Sequence, residues 1–383
     1  MKKLFYLGII GLIIFEILNV YFIMPMPGSQ QMRSIDIAYF LYTWRWIFRG
    51  IFGVMIVFGI FPAFQQARWF TLLGILFAAG VCYAFNFKMA ADAMFEETQA
   101  LSMKPASENQ IKLDRVIIGV ELNGEAKAYP ISQIIYHHQV CDTLAGKLIM
   151  VTYCSVCRTG RVFEPIVNGK VEAFRLVGMD HFNAMFEDNT TKSWWRQANG
   201  EAITGELKGT MLPELVSQQV SLDTWLKMYP TSKIMQPDLK YKEEYDSTAK
   251  YESGKSKKKL TGTDSLSWKD KSWVVGIQLY GESKAFDWNR LKKERIIQTN
   301  IGKKAVILVL ADDNKSFFAF LNPTSNGKFS VKNDTLIENR NRYNLKGENL
   351  EQITNKQASL IRIKAYQEFW HSWKTFHPDT QEY

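Results

Sequence analysis

The sequence predicts an α+β protein: an N-terminal transmembrane anchor of three helices, then a β-rich soluble region made of two related halves. Three observations predict it: long apolar runs before residue 97, alternating β-branched runs around tight turns after residue 113, and an opening motif that occurs twice. A length of 383 residues exceeds one ordinary domain, and 46% hydrophobic with 14% aromatic content is ample for a packed core, which excludes a disordered chain. Of the net charge of +9, residues 1–104 supply 8 Lys/Arg against 5 Asp/Glu and the remainder 39 against 33. No basic domain stands out, so nucleic acid is not an expected partner. Four cysteines in so long a chain exclude a miniprotein built on disulfides.

Residues 1–97 read as the membrane region, with spans at about 4–24, 46–64 and 69–87. Leu4 to Met24 holds a single charge, Glu16, and at a rise of about 1.5 Å per residue it crosses a hydrocarbon core of about 30 Å. Gln65-Gln66-Ala67-Arg68 forms a polar turn between the second and third spans, and Trp44, Trp46 and Trp69 suit the membrane interface. Lys2, Lys3 and Arg68 mark one side and Arg33, Arg45 and Arg49 the other, so positive charge alone does not orient the chain. With the N-terminus inside, an odd number of spans makes this a multi-pass cell-membrane protein with an extracytoplasmic soluble domain. Glu16 is expected to have a packing role, because no other ionisable residue is expected at its depth, and Cys82 in the third span reads as an inert packing residue.

Residues 98–112 read as a linker, 113–238 as the first repeat, 239–270 as a polar basic linker with Lys255, Lys257, Lys258 and Lys259 in solvent, and 271–383 as a second, degenerate repeat. Val116 to Ile134 reappears as Trp273 to Leu291, with Gly119 answering Gly276 and Gly124 answering Gly281. Asn123-Gly124 and Tyr280-Gly281 are hairpin turns, as is Asn168-Gly169. Buried strands are expected at Leu148 to Tyr153 and Ala305 to Leu310, and helices at Leu222 to Met228 and Ile361 to Lys374. Trp225 to Pro230 echoes Trp373 to Pro378, where Trp370 and Trp373 suit the buried face of a closing helix.

The sharpest chemical feature is Tyr153-Cys154-Ser155-Val156-Cys157-Arg158, two thiols three apart on a turn, able to bind one metal or close one disulfide. The second repeat has Asp312 and Lys315 there, so the connection does not require cysteines. Tyr136-His137-His138, with Cys141 a turn later, and Met179-Asp180-His181 flank the pair in sequence. Thiolate and imidazole are ligands for copper or zinc, so Cys154, Cys157, His137 and His181 form the expected metal set, with Cys141 and His138 as further donors. The first alternative is a thiol–disulfide redox protein using Cys154 and Cys157, and the second a non-enzymatic scaffold stapled by them. Asn183 and the run Trp194-Trp195-Arg196-Gln197 are candidates for a pocket wall. No phosphate-binding glycine loop, nucleophile elbow or zincin histidine pair is present.

From about Val116 to Tyr383 the chain resembles the prokaryotic domain of unknown function family 3179. The residues that carry the resemblance are Val116 to Pro130, Tyr136-His137-His138 before Cys141-Asp142, Val151 to Cys157, Ser193 to Gln197, and Phe376 to Thr380. The resemblance singles out His137, Cys154 and Cys157 and implies an extracytoplasmic domain; it supplies no reaction. Cys141 stands where the family has Asn, His138 where it has Glu, and Ser155-Val156 where it has Pro-Leu, so two departures add soft ligands near the turn.

Overall fold

The computed structural model describes residues 1–323, 327–351 and 359–383. The chain packs as two compact units, one of residues 1–96 with 172–211 and the other of residues 97–171 with 212–383. The segment 172–211, read above as part of the first repeat, therefore packs with the N-terminal helices.

In the first unit, helices Lys2–Tyr21, Arg45–Gln66 and Arg68–Phe87 are long and apolar enough to cross a membrane, with mean hydropathies of 2.1, 2.0 and 1.8. Their outward faces are apolar, as expected against lipid: Val57, Phe58 and Leu76 are all largely exposed. A Cβ on Gly59 would lie 2.3 Å from the Phe5 backbone nitrogen, so only glycine lets these two helices meet there. The expectation for Glu16 needs correction. Arg49, read from sequence as a flanking charge, lies one turn inside its helix, and its Nε and Nη2 donate to Glu16 at 2.6 and 2.8 Å. Asn86 donates to the same carboxylate at 2.8 Å, and Arg49 also donates to Asn86 Oδ1 at 2.6 Å, so the buried Glu16 is the centre of a three-helix polar knot. This unit also holds helix Ile35–Thr43, the short helix Ala91–Met94 and an antiparallel sheet in the order Ala202–Thr204, Trp194–Arg196, Asn183–Asp188, Phe174–Asp180.

The second unit repeats one order of elements. Val116–Leu122 and Glu125–Pro130 form a hairpin, followed by helix Ile131–His137 and the meander Gln139–Leu144, Lys147–Cys154, Thr159–Phe163. Trp273–Leu279 and Glu282–Asp287 form the corresponding hairpin, followed by helix Trp288–Glu294 and the meander Ile296–Ile301, Lys304–Leu310, Phe317–Leu321. Both hairpins turn through two left-handed residues, Asn123 and Gly124 at φ 51° and 85°, and Tyr280 and Gly281 at 51° and 84°, which matches strand twist. Each hairpin gains a third strand, Ser217–Ser221 beside Val116–Leu122 and Tyr366–Phe369 beside Trp273–Leu279. Each of these leads into a seven-residue helix, Leu222–Met228 or Trp370–Phe376. The helix lays a buried indole on the hairpin glycine: a Cβ would come within 2.4 Å of Trp225 at Gly119 and 2.2 Å of Trp373 at Gly276.

Three local expectations change. The helix expected over Ile361 to Lys374 begins only at Trp370, because Tyr366–Phe369 pairs as a strand with Trp273–Gly276. Residues 98–112 are more than a linker, since Met103–Pro105 pairs with Lys233–Met235 at the sheet edge. Residues 239–270 include helix Lys242–Glu252, whose buried face (Tyr245, Thr248, Glu252) packs beside Ile131–His137.

Candidate functional site

Cys154 ends one strand and is paired with Thr159 at the start of the next; Ser155, Val156, Cys157 and Arg158 make the turn, with Arg158 left-handed at φ 58°. Both cysteines are thiols and both are fully buried, with their side chains within hydrogen-bonding reach of one another. Burial first, and then Cys154, push the Cys157 thiol well above its usual pKa, while Ser372 and the Lys271 charge pull it back.

The turn is closed by residues far along the chain. Phe369 N–H donates to the Cys157 carbonyl at 3.0 Å, which seats helix Trp370–Phe376 over it and brings Ser372 to the Cys157 thiol. The Ser372 hydroxyl gives its one hydrogen to Glu368 at 2.8 Å, and Glu368 accepts from Arg161 at 2.5 Å; this Glu368–Arg161 ion pair is 1% and 2% exposed. Lys271 Nζ donates to the carbonyls of Val156 and Leu260 at 2.8 and 2.7 Å and contacts His371 Nε2 at 3.0 Å. His371 Nε2 also lies 3.3 Å from the Val156 carbonyl, so ammonium, imidazole and carbonyl form one polar cluster over the turn. Burial, and then the Lys271 charge, hold the His371 pKa down to about 3. Burial also lowers the Lys271 pKa, and the charges of Cys157 and Cys154 oppose that.

Arg158, next to Cys157, is buried, and its hydrogen bonds go to groups other than the thiols. Its Nε donates to Gln367 Oε1 at 3.0 Å, and Nη1 and Nη2 donate to the carbonyls of Tyr251 and Glu252 at 2.9 and 3.0 Å. Its guanidinium carbon stands 3.5 Å above the Trp273 ring.

Of the residues singled out from sequence, the structure brings Cys154 and Cys157 together. His137 lies among Tyr136, Tyr241 and Tyr245, with Nε2 at 2.7 Å from the Tyr245 hydroxyl. His138 is the left-handed residue ending the same helix, buried, its pKa lowered to about 4 by that burial. Cys141 is exposed on its strand. His181 belongs to the first unit, where Nδ1 is bonded to Asp180 at 2.7 Å. Among the described residues no three His, Cys, Asp or Glu side chains gather as a metal shell. In the first unit Trp194 and Trp195 are buried and donate to Glu187 and Asp188, Arg196 donates to Asp180, and Asn183 to Gln197, so this set knits the sheet. Sequence reasoning missed Lys271, Glu368, His371 and Ser372; the Ser372 position beside a buried tryptophan was visible, but nothing local links it to residue 157.

The model of a family described as "Protein of unknown function (DUF3179)" matches residues 97–380. No curated protein and no solved structure matches the chain.

Proposed function

Because the chain belongs to the DUF3179 family, whose activity is unknown, its chemistry has to be read from its own side chains, and we propose that it binds monovalent copper between the thiolates of Cys154 and Cys157. The observation that carries this reading is the contact of two buried thiols on one turn with an ammonium, Lys271, in electrostatic range of both. Soft thiolates select Cu(I), which is satisfied by few ligands, whereas zinc takes four. Loading breaks two S–H bonds, forms two S–Cu bonds and releases two protons. The product carries one negative charge, which Lys271 offsets. In this reading the three apolar helices tether the domain to a membrane, with the domain on its outer side.

A second reading, thiol–disulfide exchange, is favoured by the same Cys154–Cys157 contact: an external disulfide is reduced to two thiols while the pair closes to a disulfide. Competition with bicinchoninate for Cu(I), on full-length protein in which Cys82 and Cys141 are serine, tests both. One copper retained per chain, lost in Cys154→Ser and in Cys157→Ser, is the expected result. Failure of the parent to retain copper, or retention by both variants, overturns it; no copper but a pair titrating as a reversible disulfide moves the assignment to exchange.

A further inference from the structure

A cavity of about 500 Å³, a size suited to a small organic ligand, is lined by Arg158 and by neither Cys154 nor Cys157. We propose that it binds a small organic anion with a flat apolar body, the anionic head at Arg158 and the body against Trp273 and Trp288. This site is separate from the thiol pair and does not depend on the copper reading.

The argument begins with charge. Arg158 is 4% exposed, yet every hydrogen-bond partner it has is neutral: one side-chain amide oxygen and two backbone carbonyls. Three of its five N–H bonds are used, and among the described residues no carboxylate forms an ion pair with it, Glu252 acting on it only through longer-range electrostatics. A buried permanent charge without a directly paired counter-ion is costly, and an incoming anion relieves that cost. The other charges on the wall do not supply the counter-ion. Glu252 is held by Arg115 at 2.8 Å and by the Val116 N–H at 2.8 Å, and Asp114 stands 3.5 Å from Lys315. That leaves Arg158 and the exposed Lys292 against Asp264, a net positive lining.

The shape fits the same class. Gln219 and Gln367, bonded to each other at 3.0 Å, form a polar floor that fixes the Arg158 Nε. Trp273 is pinned by its Nε1 bond to Thr263 at 2.9 Å, and its ring lies 6.0 Å from that of Trp288. Two indoles held in place provide a wall for a planar ring, and the guanidinium over one of them provides a directional anion donor.

The test uses full-length protein in nanodiscs, titrated calorimetrically with 2-naphthoate and with its neutral isostere 2-naphthamide, empty discs giving the blank. The expected result is one naphthoate site, with naphthamide at least tenfold weaker. Arg158→Met should abolish that preference. Because a buried arginine variant can fail to fold, Lys292→Glu provides a surface variant: it should weaken naphthoate several-fold and leave naphthamide unchanged. Naphthamide binding as tightly as naphthoate, heat no greater than that of empty discs, or naphthoate binding indifferent to Lys292→Glu would each overturn the proposal.

Discussion

The Thr224 hydroxyl donates to Asp313 Oδ2 at 2.9 Å, and it does so from the helix position that Ser372 holds against Cys157. In each stretch the connection after the central meander strand is gripped by the short helix of the other stretch. Asp313 also accepts from Ser221 at 2.6 Å and from the backbone of Lys315 and Ser316, so a carboxylate is the hub of that connection. The two grips differ in what surrounds them. Val220 and Phe318 share an apolar core at one, while Glu368 and Arg161 occupy the matching strand positions at the other. Thiols, ammonium and imidazole are thus concentrated at the polar one of two similar junctions.

The buried pair should be costly to halve and cheap to replace. Glu368→Gln leaves Arg161 with only the longer 3.6 Å contact to Glu214, and we expect a loss of about 3 kcal/mol. Arg161→Phe with Glu368→Val, which copies the Phe318 and Val220 pair, should recover most of it. Chemical denaturation of the two variants checks this; a double variant no more stable than Glu368→Gln would contradict it.

Gly119→Ala and Gly276→Ala should each destabilise by about 1–3 kcal/mol, because the new methyl meets an indole that a second contact fixes in place. Trp225 Nε1 donates to Ser232 at 2.7 Å and Trp373 Nε1 to Thr380 at 2.8 Å, so neither ring can swing aside freely. Gly124→Ala, with open space around it, provides a contrast in which only the left-handed backbone is strained. Melting temperatures of the three decide it.

Acid should loosen the domain well before carboxylates titrate out. His371 and His138 have folded pKa values lowered to about 3 and about 4, against an ordinary 6.5, so below 6.5 the unfolded chain binds more protons than the folded one. Their contribution is intact above pH 6.5 and declines as pH falls towards 4. His371→Gln should flatten the dependence of melting temperature on pH between 7 and 4, and an unchanged slope would contradict the assignment.

Within the helical unit, Glu16→Leu leaves Arg49 with the neutral Asn86 in place of its carboxylate, whereas Glu16→Leu with Arg49→Leu removes both charges. The single variant should lose thermal stability in detergent and the double variant should regain it. Equal losses in both would mean that Asn86, not the ion pair, holds the three helices.

Much of this architecture is legible in the chain itself. Asn123-Gly124 and Tyr280-Gly281 announce the hairpins because two left-handed residues are a local requirement, and the long apolar runs announce the N-terminal helices. The recurrence of Gly119 at 276 is also visible, but its cause, an indole lying on the glycine, involves residues about a hundred positions away. Arg49 looked like a flank because hydropathy marks the end of an apolar run and not the end of a helix. Cys154 and Cys157 stand out by spacing alone. Lys271, His371 and Ser372 do not, since their meaning comes from a strand, Tyr366–Phe369, whose pairing is non-local and whose pattern mimics the start of a helix.

The distance in sequence between the turn and its cover has a consequence for biogenesis. His371 lies 215 residues after Val156, which it contacts. At synthesis rates of about 5–20 residues per second, the thiol turn waits some 10–40 s before the strand and helix that enclose it have been made. During that interval Cys154 and Cys157 are reachable by oxidants, metal donors or a folding catalyst, and afterwards they are sealed. The state in which the pair is captured is therefore set while the chain is still being made, and a mature domain that has closed in the wrong state would need partial unfolding of the closing strand to be repaired.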